Sequence, residues 1–361
     1  MNQYFLGDLP SVISFDIILR LPPRAIAISK CVCKPWLQFL EADDFVSFHL
    51  SKSAPALAAL TIEDDSNWCK VFQIEDELDH GRDPLAKSAI PHGYTIGGSA
   101  NGLLLLTFYP DYVYVCNPFT RELCDLRSLP KGVAYGFGAS RVTGRHKVVS
   151  ISPNSDCHVY TLGTGSCRRV EAAPFQYSSG SGSFGVLVNG NLHWLVSSGS
   201  VDTNLISCFD VETECFSTFP APPLGSSRKP WRLYNVRDCL CFCEESFHNL
   251  NAAEDKINIW LVKDYEVDKS WSKQYVICQD PDFDIFDTGF LQPIKLLSNG
   301  DLLILCNETM FIYYSKESET TKEIKLLGAG EEYYSMDLTL LTPTFLSLRR
   351  SLGMENVVIL I

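Results

Sequence analysis

Apolar residues Leu9, Ile13, Ile17 and Leu21 recur every four positions, with Ile18 beside them, and so share one face of a helix. Pro10 suits a first helical turn, where its missing N–H costs nothing, and Asp8 stands where an N-cap would. Pro22-Pro23 ends the segment, because proline cannot continue the ladder and moves the preceding residue out of helical geometry. A second helix is predicted from Arg24 to about Val32, with Ala25, Ile28 and Val32 along one side. Pro35 opens a third, carrying Trp36, Phe39 and Leu40. Asp43 or Asp44 caps a last turn with Phe45, Phe48 and Leu50. Three helices this short expose more apolar side chain than they can bury among themselves, a surplus that marks an interaction surface. The alternative is a helical cap packed on the downstream domain.

Beyond residue 57 the period changes to that of strands. Asn101-Gly102, Asn189-Gly190 and Asn299-Gly300 are tight-turn dipeptides, each feeding an apolar run. Each run leads to a second strand, a polar hairpin turn of the Asp-x-x-Thr kind, and a third strand. Two further copies begin at Arg145 and Arg237 without the Asn-Gly. A β repeat of about 40–50 residues predicts propeller blades, since one small sheet cannot bury both faces without neighbours. No Trp-Asp closes a unit, which argues against WD repeats and favours kelch-like blades. The leftover strands Leu57–Glu63 and Lys70–Glu75 before the repeats, and Tyr333–Leu348 and Asn356–Ile361 after them, are predicted to combine into one further blade that closes the ring. The expected fold is therefore a small all-α unit of three helices followed by an all-β propeller of six blades, with seven the alternative.

Composition narrows the chemistry. With 361 residues, 46% of them hydrophobic, the chain can bury a large core. A net charge of −13 opposes binding to nucleic acid or an anionic membrane, and no Lys/Arg run exceeds two residues. Neither a signal-peptide pattern nor an 18-residue apolar run appears, so the 14 cysteines are expected as free thiols in a reducing compartment. Cys239, Cys241 and Cys243 alternate as in a strand, but Cys-x-x-Cys and zinc-type His pairs are missing. They read as small buried hydrophobes, and no metal or cofactor is expected. His193-Trp194 lies mid-strand, where a structural hydrogen bond is the simpler role than catalysis. The glycine-serine run 180–185 lacks the Lys-Ser/Thr ending of a phosphate loop. Binding on a propeller falls to its end loops. Phe175, Tyr177, Trp231, Phe247 and Phe286 in the longest of them are the candidate substrate-binding aromatics.

Leu9-Pro10, Ile13, Ile17-Ile18-Leu19-Arg20-Leu21-Pro22 and Lys30-Cys31-Val32-Cys33-Lys34-Pro35-Trp36 resemble, in order and spacing, the F-box of plant proteins. Asn117-Pro118-Phe119-Thr120-Arg121-Glu122, Asn189-Gly190-x-Leu192-His193-Trp194 and Phe209-Asp210-x-Glu212-Thr213 resemble the F-box-associated domain that accompanies it. The resemblance implies an F-box over residues 1–50, a linker over 51–57 and an F-box-associated propeller over 58–361. It implies that Leu9, Pro10, Ile13, Ile17, Leu21, Pro22, Val32 and Trp36 bind a Skp-type adaptor carried by a cullin scaffold. The chain would then be the non-catalytic substrate-recognition subunit of an SCF-type ubiquitin ligase in the cytoplasm or nucleus. Its propeller would hold an unknown protein target. A propeller enzyme with a helical cap, or a scaffold that no longer engages a ligase, are the alternatives.

Overall fold

The computed structural model describes residues 9–63, 66–74, 83–108, 112–175, 177, 184–197, 204–223, 231–246, 256–264, 268–278, 291–325 and 336–360. Four helices open it: α1 (Ser11–Leu19), α2 (Pro23–Ser29), α3 (Lys34–Leu40) and α4 (Asp43–Lys52). Pro10 is the N-cap of α1, and α2 and α3 each carry proline in the first turn. The expected three helices are corrected to four. The stretch after Ala42 is a full ten-residue helix, with Asp43 and Asp44 in its first turn and His49 and Lys52 in its last, charges that suit the helix dipole.

The strands begin with β1 (Ala56–Glu63), β2 (Ser66–Gln73), β3 (Ala86–Ile90), β4 (Thr95–Ala100), β5 (Leu103–Phe108), β6 (Tyr112–Asn117) and β7 (Glu122–Asp125). Next come β8 (Ala134–Ala139), β9 (His146–Ile151), β10 (Cys157–Thr161), β11 (Cys167–Arg169), β12 (Phe184–Val188), β13 (Asn191–Ser197), β14 (Asn204–Asp210) and β15 (Phe216–Pro220). Then follow β16 (Trp231–Val236), β17 (Cys239–Ser246), β18 (Lys256–Asp264), β19 (Asp268–Cys278), β20 (Leu291–Leu296), β21 (Leu302–Cys306), β22 (Met310–Ser315) and β23 (Thr320–Ile324). β24 (Met336–Leu341) and β25 (Val357–Ile359) come last.

These strands group into five sheets. Three are four-stranded (β24-β1-β2-β3, β16 to β19, β20 to β23), one is five-stranded (β25-β7-β6-β5-β4), and the remaining eight strands form a single sheet, β11-β10-β9-β8-β12-β13-β14-β15. The separate blade-like sheets among the described residues thus number four, which corrects the expected six or seven. The merger has a local cause. β8 and β12 pair in parallel at Phe184 with Tyr135 and Gly185 with Gly136. A Cβ added to Gly136 would lie 2.7 Å from ring atoms of Trp194, and one on Gly185 would lie 2.6 Å from them. Two absent side chains let the strands close over a buried indole, whose Nε1–H donates to the Tyr135 carbonyl at 3.3 Å.

The repeat unit is visible in its turns. Asn101 and Gly102 take φ of 44° and 83°, the left-handed conformation that this pair tolerates. At the next hairpin Asn117 Oδ1 accepts the Phe119 N–H at 2.9 Å, and Asp210 Oδ1 accepts the Glu212 N–H at 2.7 Å in the corresponding turn. Arg121, Glu214 and Glu319 occupy the same turn position in three sheets, with φ of 57°, 59° and 54°.

The two ends of the polypeptide meet. β24 pairs antiparallel with β1, Leu340 opposite Leu57. β25, expected in the same blade, instead pairs with β7, Val357 opposite Cys124. Between them residues 342–352 form a strap. Asn117 Nδ2 donates to the carbonyls of Thr344 (3.2 Å) and Leu346 (2.7 Å). The buried Glu122 carboxylate accepts from the Ser347 hydroxyl (2.7 Å) and the Leu348 N–H (2.8 Å). So tied, the strap inserts Phe345 into the helical core of Phe15, Ile18, Ile26, Leu40 and Phe45.

Candidate functional site

The helices have two unlike sides. The packed side is built around Phe345. Its ring meets His49 edge-on at 5.0 Å and Phe119 at 6.0 Å, and the Lys30 ammonium lies over it at 5.3 Å. Glu41 pairs with Lys30 at 3.7 Å and with Arg350 of the strap at 2.6 Å. Burial lowers the pKa of Lys30, opposed by Glu41. Burial, helped by Lys30, pushes His49 down to about 4, so its ring is neutral near pH 7.

The other side is uncovered. Leu9, Val12, Ile13, Ile17, Leu21, Ile28 and Val32 are between 37% and 68% exposed. Pro10 and Pro22 are exposed beside them, whereas Trp36 is half-buried against the helical core. Of the residues expected to bind an adaptor, Leu9 and Pro10 lead into α1, Ile13 and Ile17 lie on it, Leu21, Pro22 and Val32 lie in the turns on either side of α2, and Trp36, in α3, is the one substantially withdrawn. Lone apolar residues on a surface are ordinary; here seven exposed ones fall between residues 9 and 32.

The aromatics expected to touch substrate are dispersed. Tyr177 is a core residue: its ring meets Trp194 edge-on at 5.8 Å and its hydroxyl donates to Ser207 Oγ at 2.7 Å. Phe175 is half-buried against the same cluster, and Trp231 is half-buried at the start of β16. Phe247 and Phe286 lie outside the described residues. His193 is fully buried with Nδ1 3.0 Å from the Val186 carbonyl, a structural bond. Cys241 and Cys243 are buried with sulfurs 3.9 Å apart, and burial raises the pKa of the half-buried Cys239 thiol. Among the described residues no three His, Cys, Asp or Glu side chains converge as metal ligands, and no helix is long and apolar enough to cross a membrane.

A second feature has no counterpart in the sequence pattern. β4, β8, β12, β16, β20 and β24 line an axial cavity of ≈ 1310 Å³. β4 and β24 run in the same sense, since Ile96 bonds Asp337 and Ser99 bonds Leu340. Phe108, Tyr112, Thr95, Glu308 and Asp337 belong to the lining at the N-terminal ends of these two strands. The helices dock at the other end, where the strap crosses the β6–β7 turn. Asp337 Oδ2 accepts the Ile96 N–H at 2.6 Å, at a bulge where the β4–β5 ladder shifts.

Burial pushes the Asp337 carboxyl up to about 7, and Glu308 adds to the rise. A carboxyl whose folded pKa lies above its unfolded value loses stability as pH climbs from about 4 to 7, and the loss is constant above that window. Asp337→Asn keeps an oxygen for Ile96 and carries no charge to bury. It is expected to melt with the wild type near pH 4 and a few degrees higher at pH 8. Thermal melts across that range check this; a difference from the wild type that stays the same at every pH would show that ionisation of Asp337 does not cost stability.

A family model described as the F-box associated beta propeller domain matches residues 58–344. The chain belongs to that family. It is 29% identical to F-box protein At3g07870 of Arabidopsis thaliana over 92% of this chain and 90% of that one. It is 25% identical to F-box protein CPR1 of the same plant, over 91% and 87%. These likenesses cover most of the chain, and they support a plant F-box protein. Among solved structures, a protein of unknown function from Bacteroides thetaiotaomicron superposes with a TM-score of 0.39 at 9% identity, over 74% of this chain and 78% of that one. That likeness carries no weight for function.

Proposed function

We propose that the protein is the substrate-recognition subunit of an SCF-type ubiquitin ligase. In this reading residues 1–50 are an F-box that binds a Skp-type adaptor, and through it a cullin scaffold. A short connection between α4 and β1 leads to a propeller-like domain that holds a target protein. The observation that carries the reading is the two-sidedness of the helices: one side is locked onto Phe345, while Leu9, Ile13, Ile17, Leu21 and Val32 stay open to a second polypeptide. Covering such side chains removes apolar surface from water, the dominant favourable contribution in most protein association. The subunit makes no bond itself. It raises the local concentration of the target at the ligase's catalytic partners, in the cytoplasm or nucleus.

Replacing Leu9 and Pro10 together by alanine is expected to abolish pull-down of a Skp-type adaptor while the β domain melts as before. Undiminished pull-down would place the interface elsewhere.

A further inference from the structure

At the N-terminal ends of β4 and β24 the axial cavity opens between two kinds of side chain. One flank is aromatic. Phe108 and Tyr112, 38% and 52% exposed, have ring centres 6.2 Å apart. Tyr94 and Tyr114 continue the row, Tyr94 at 5.7 Å from Phe108 and Tyr114 at 5.2 Å from Tyr94. The other flank is acidic. Asp337 is half-buried in the wall, and Glu308 is exposed on the β21–β22 turn, whose carbonyl accepts the Met336 N–H at 2.6 Å. Thr95 and Thr107, hydroxyls 3.0 Å apart, lie between the flanks. Among the described residues Arg232, near the start of β16, is the cation at this end of the lining; Lys295, Arg237 and Asp238 line its other end.

Aromatic faces beside carboxylates suit an ammonium or guanidinium: the rings offer their negative faces and the carboxylates accept charge-assisted hydrogen bonds. Burial holds Asp337 towards its neutral form, repulsion from Glu308 adds to this, and an incoming cation relieves that repulsion. A net charge of −13 draws basic partners over a longer range. We propose that this mouth binds an extended segment of a target protein through a lysine or arginine seated at Asp337 and Glu308, with an adjoining apolar side chain laid on Phe108 and Tyr112. The inference rests on the receptor reading above and names its class of target.

The test is fluorescence anisotropy of the full-length protein with short random peptides of three kinds, fixed centrally as Arg or Lys, as Gln, or as Glu. The basic pool is expected to bind at least about tenfold more tightly than the other two. Tyr112→Ala, at an exposed position, and Asp337→Asn should each remove most of that preference. Glu317→Gln, on the exposed β22–β23 turn, should leave it intact. Equal binding of the three pools, or a preference that survives Tyr112→Ala and Asp337→Asn, overturns the proposal. So does an equal loss with Glu317→Gln, which would mean a diffuse field and no site. Adaptor pull-down is scored separately. Adaptor binding without a basic preference refutes the mouth alone, and the reverse refutes the receptor reading alone.

Discussion

Phe345→Ala is expected to release the four helices from the β domain without unfolding that domain. Phe345 is almost wholly buried and supplies the contact through which a core of five small-unit side chains becomes a core of six. Deleting a buried phenyl ring typically costs about 3–5 kcal/mol, partly for lost transfer energy and partly for the cavity left behind. The helical unit is too small to absorb that loss unaided. His49, neutral and packed on the ring, and Lys30, lying over it, lose their partner at the same time. Amide exchange should therefore accelerate through α1 to α4 while β4 to β7 stay protected, and protease should cut near 53–55. Unchanged protection of the helices would mean that Glu41 and Arg350 hold the unit in place without the ring.

The second large effect is expected where two sheets become one. Trp194→Ala should cost about 3–5 kcal/mol, as for any fully buried large aromatic. Gly185→Ala should cost about 1–3 kcal/mol for the opposite reason, since its new methyl lands on an indole that has no room to retreat. With the indole gone, the methyl meets no ring. The double variant should accordingly be less destabilised than the sum of the singles by about 1–2 kcal/mol in a double-mutant cycle measured by denaturant unfolding. Strict additivity would show that Gly185 is needed for the β8–β12 pairing itself and not for the side chain beneath it.

Much of the fold was legible because it is local. The Asn-Gly pairs and the turns at Asn117 and Asp210 are short-range devices, and each stands where the pattern put it. What the pattern could not hold is whatever depends on a distant partner. Nothing in Gly136 or Gly185 announces that two repeats share a sheet, because the cause is a tryptophan packed across both strands. α4 reads as a turn because apolar residues at 45, 48 and 50 fit more than one short geometry, and its two aspartates are also ordinary capping residues. Phe345 sits in a segment with no period at all, more than three hundred positions from the first helix it completes. For the site, the α1 face was readable from its four-residue spacing. The axial mouth was not, since Asp337 looks like one more polar residue in an alternating strand until Ile96 and Glu308 are beside it.

The pairing of β24 with β1 sets an order of events during synthesis. β1 leaves the ribosome early, yet its inner neighbour emerges only after nearly the whole polypeptide has been made. Until then Leu57 and Ala59 lack the cover that Leu338 supplies, and the helices, translated before β1, wait longer still for Phe345. A product cut short anywhere before residue 336 would therefore show chaperones a bare strand edge and an unfilled helical underside together. Full burial of β1 and of the helical core therefore depends on segments some three hundred residues downstream.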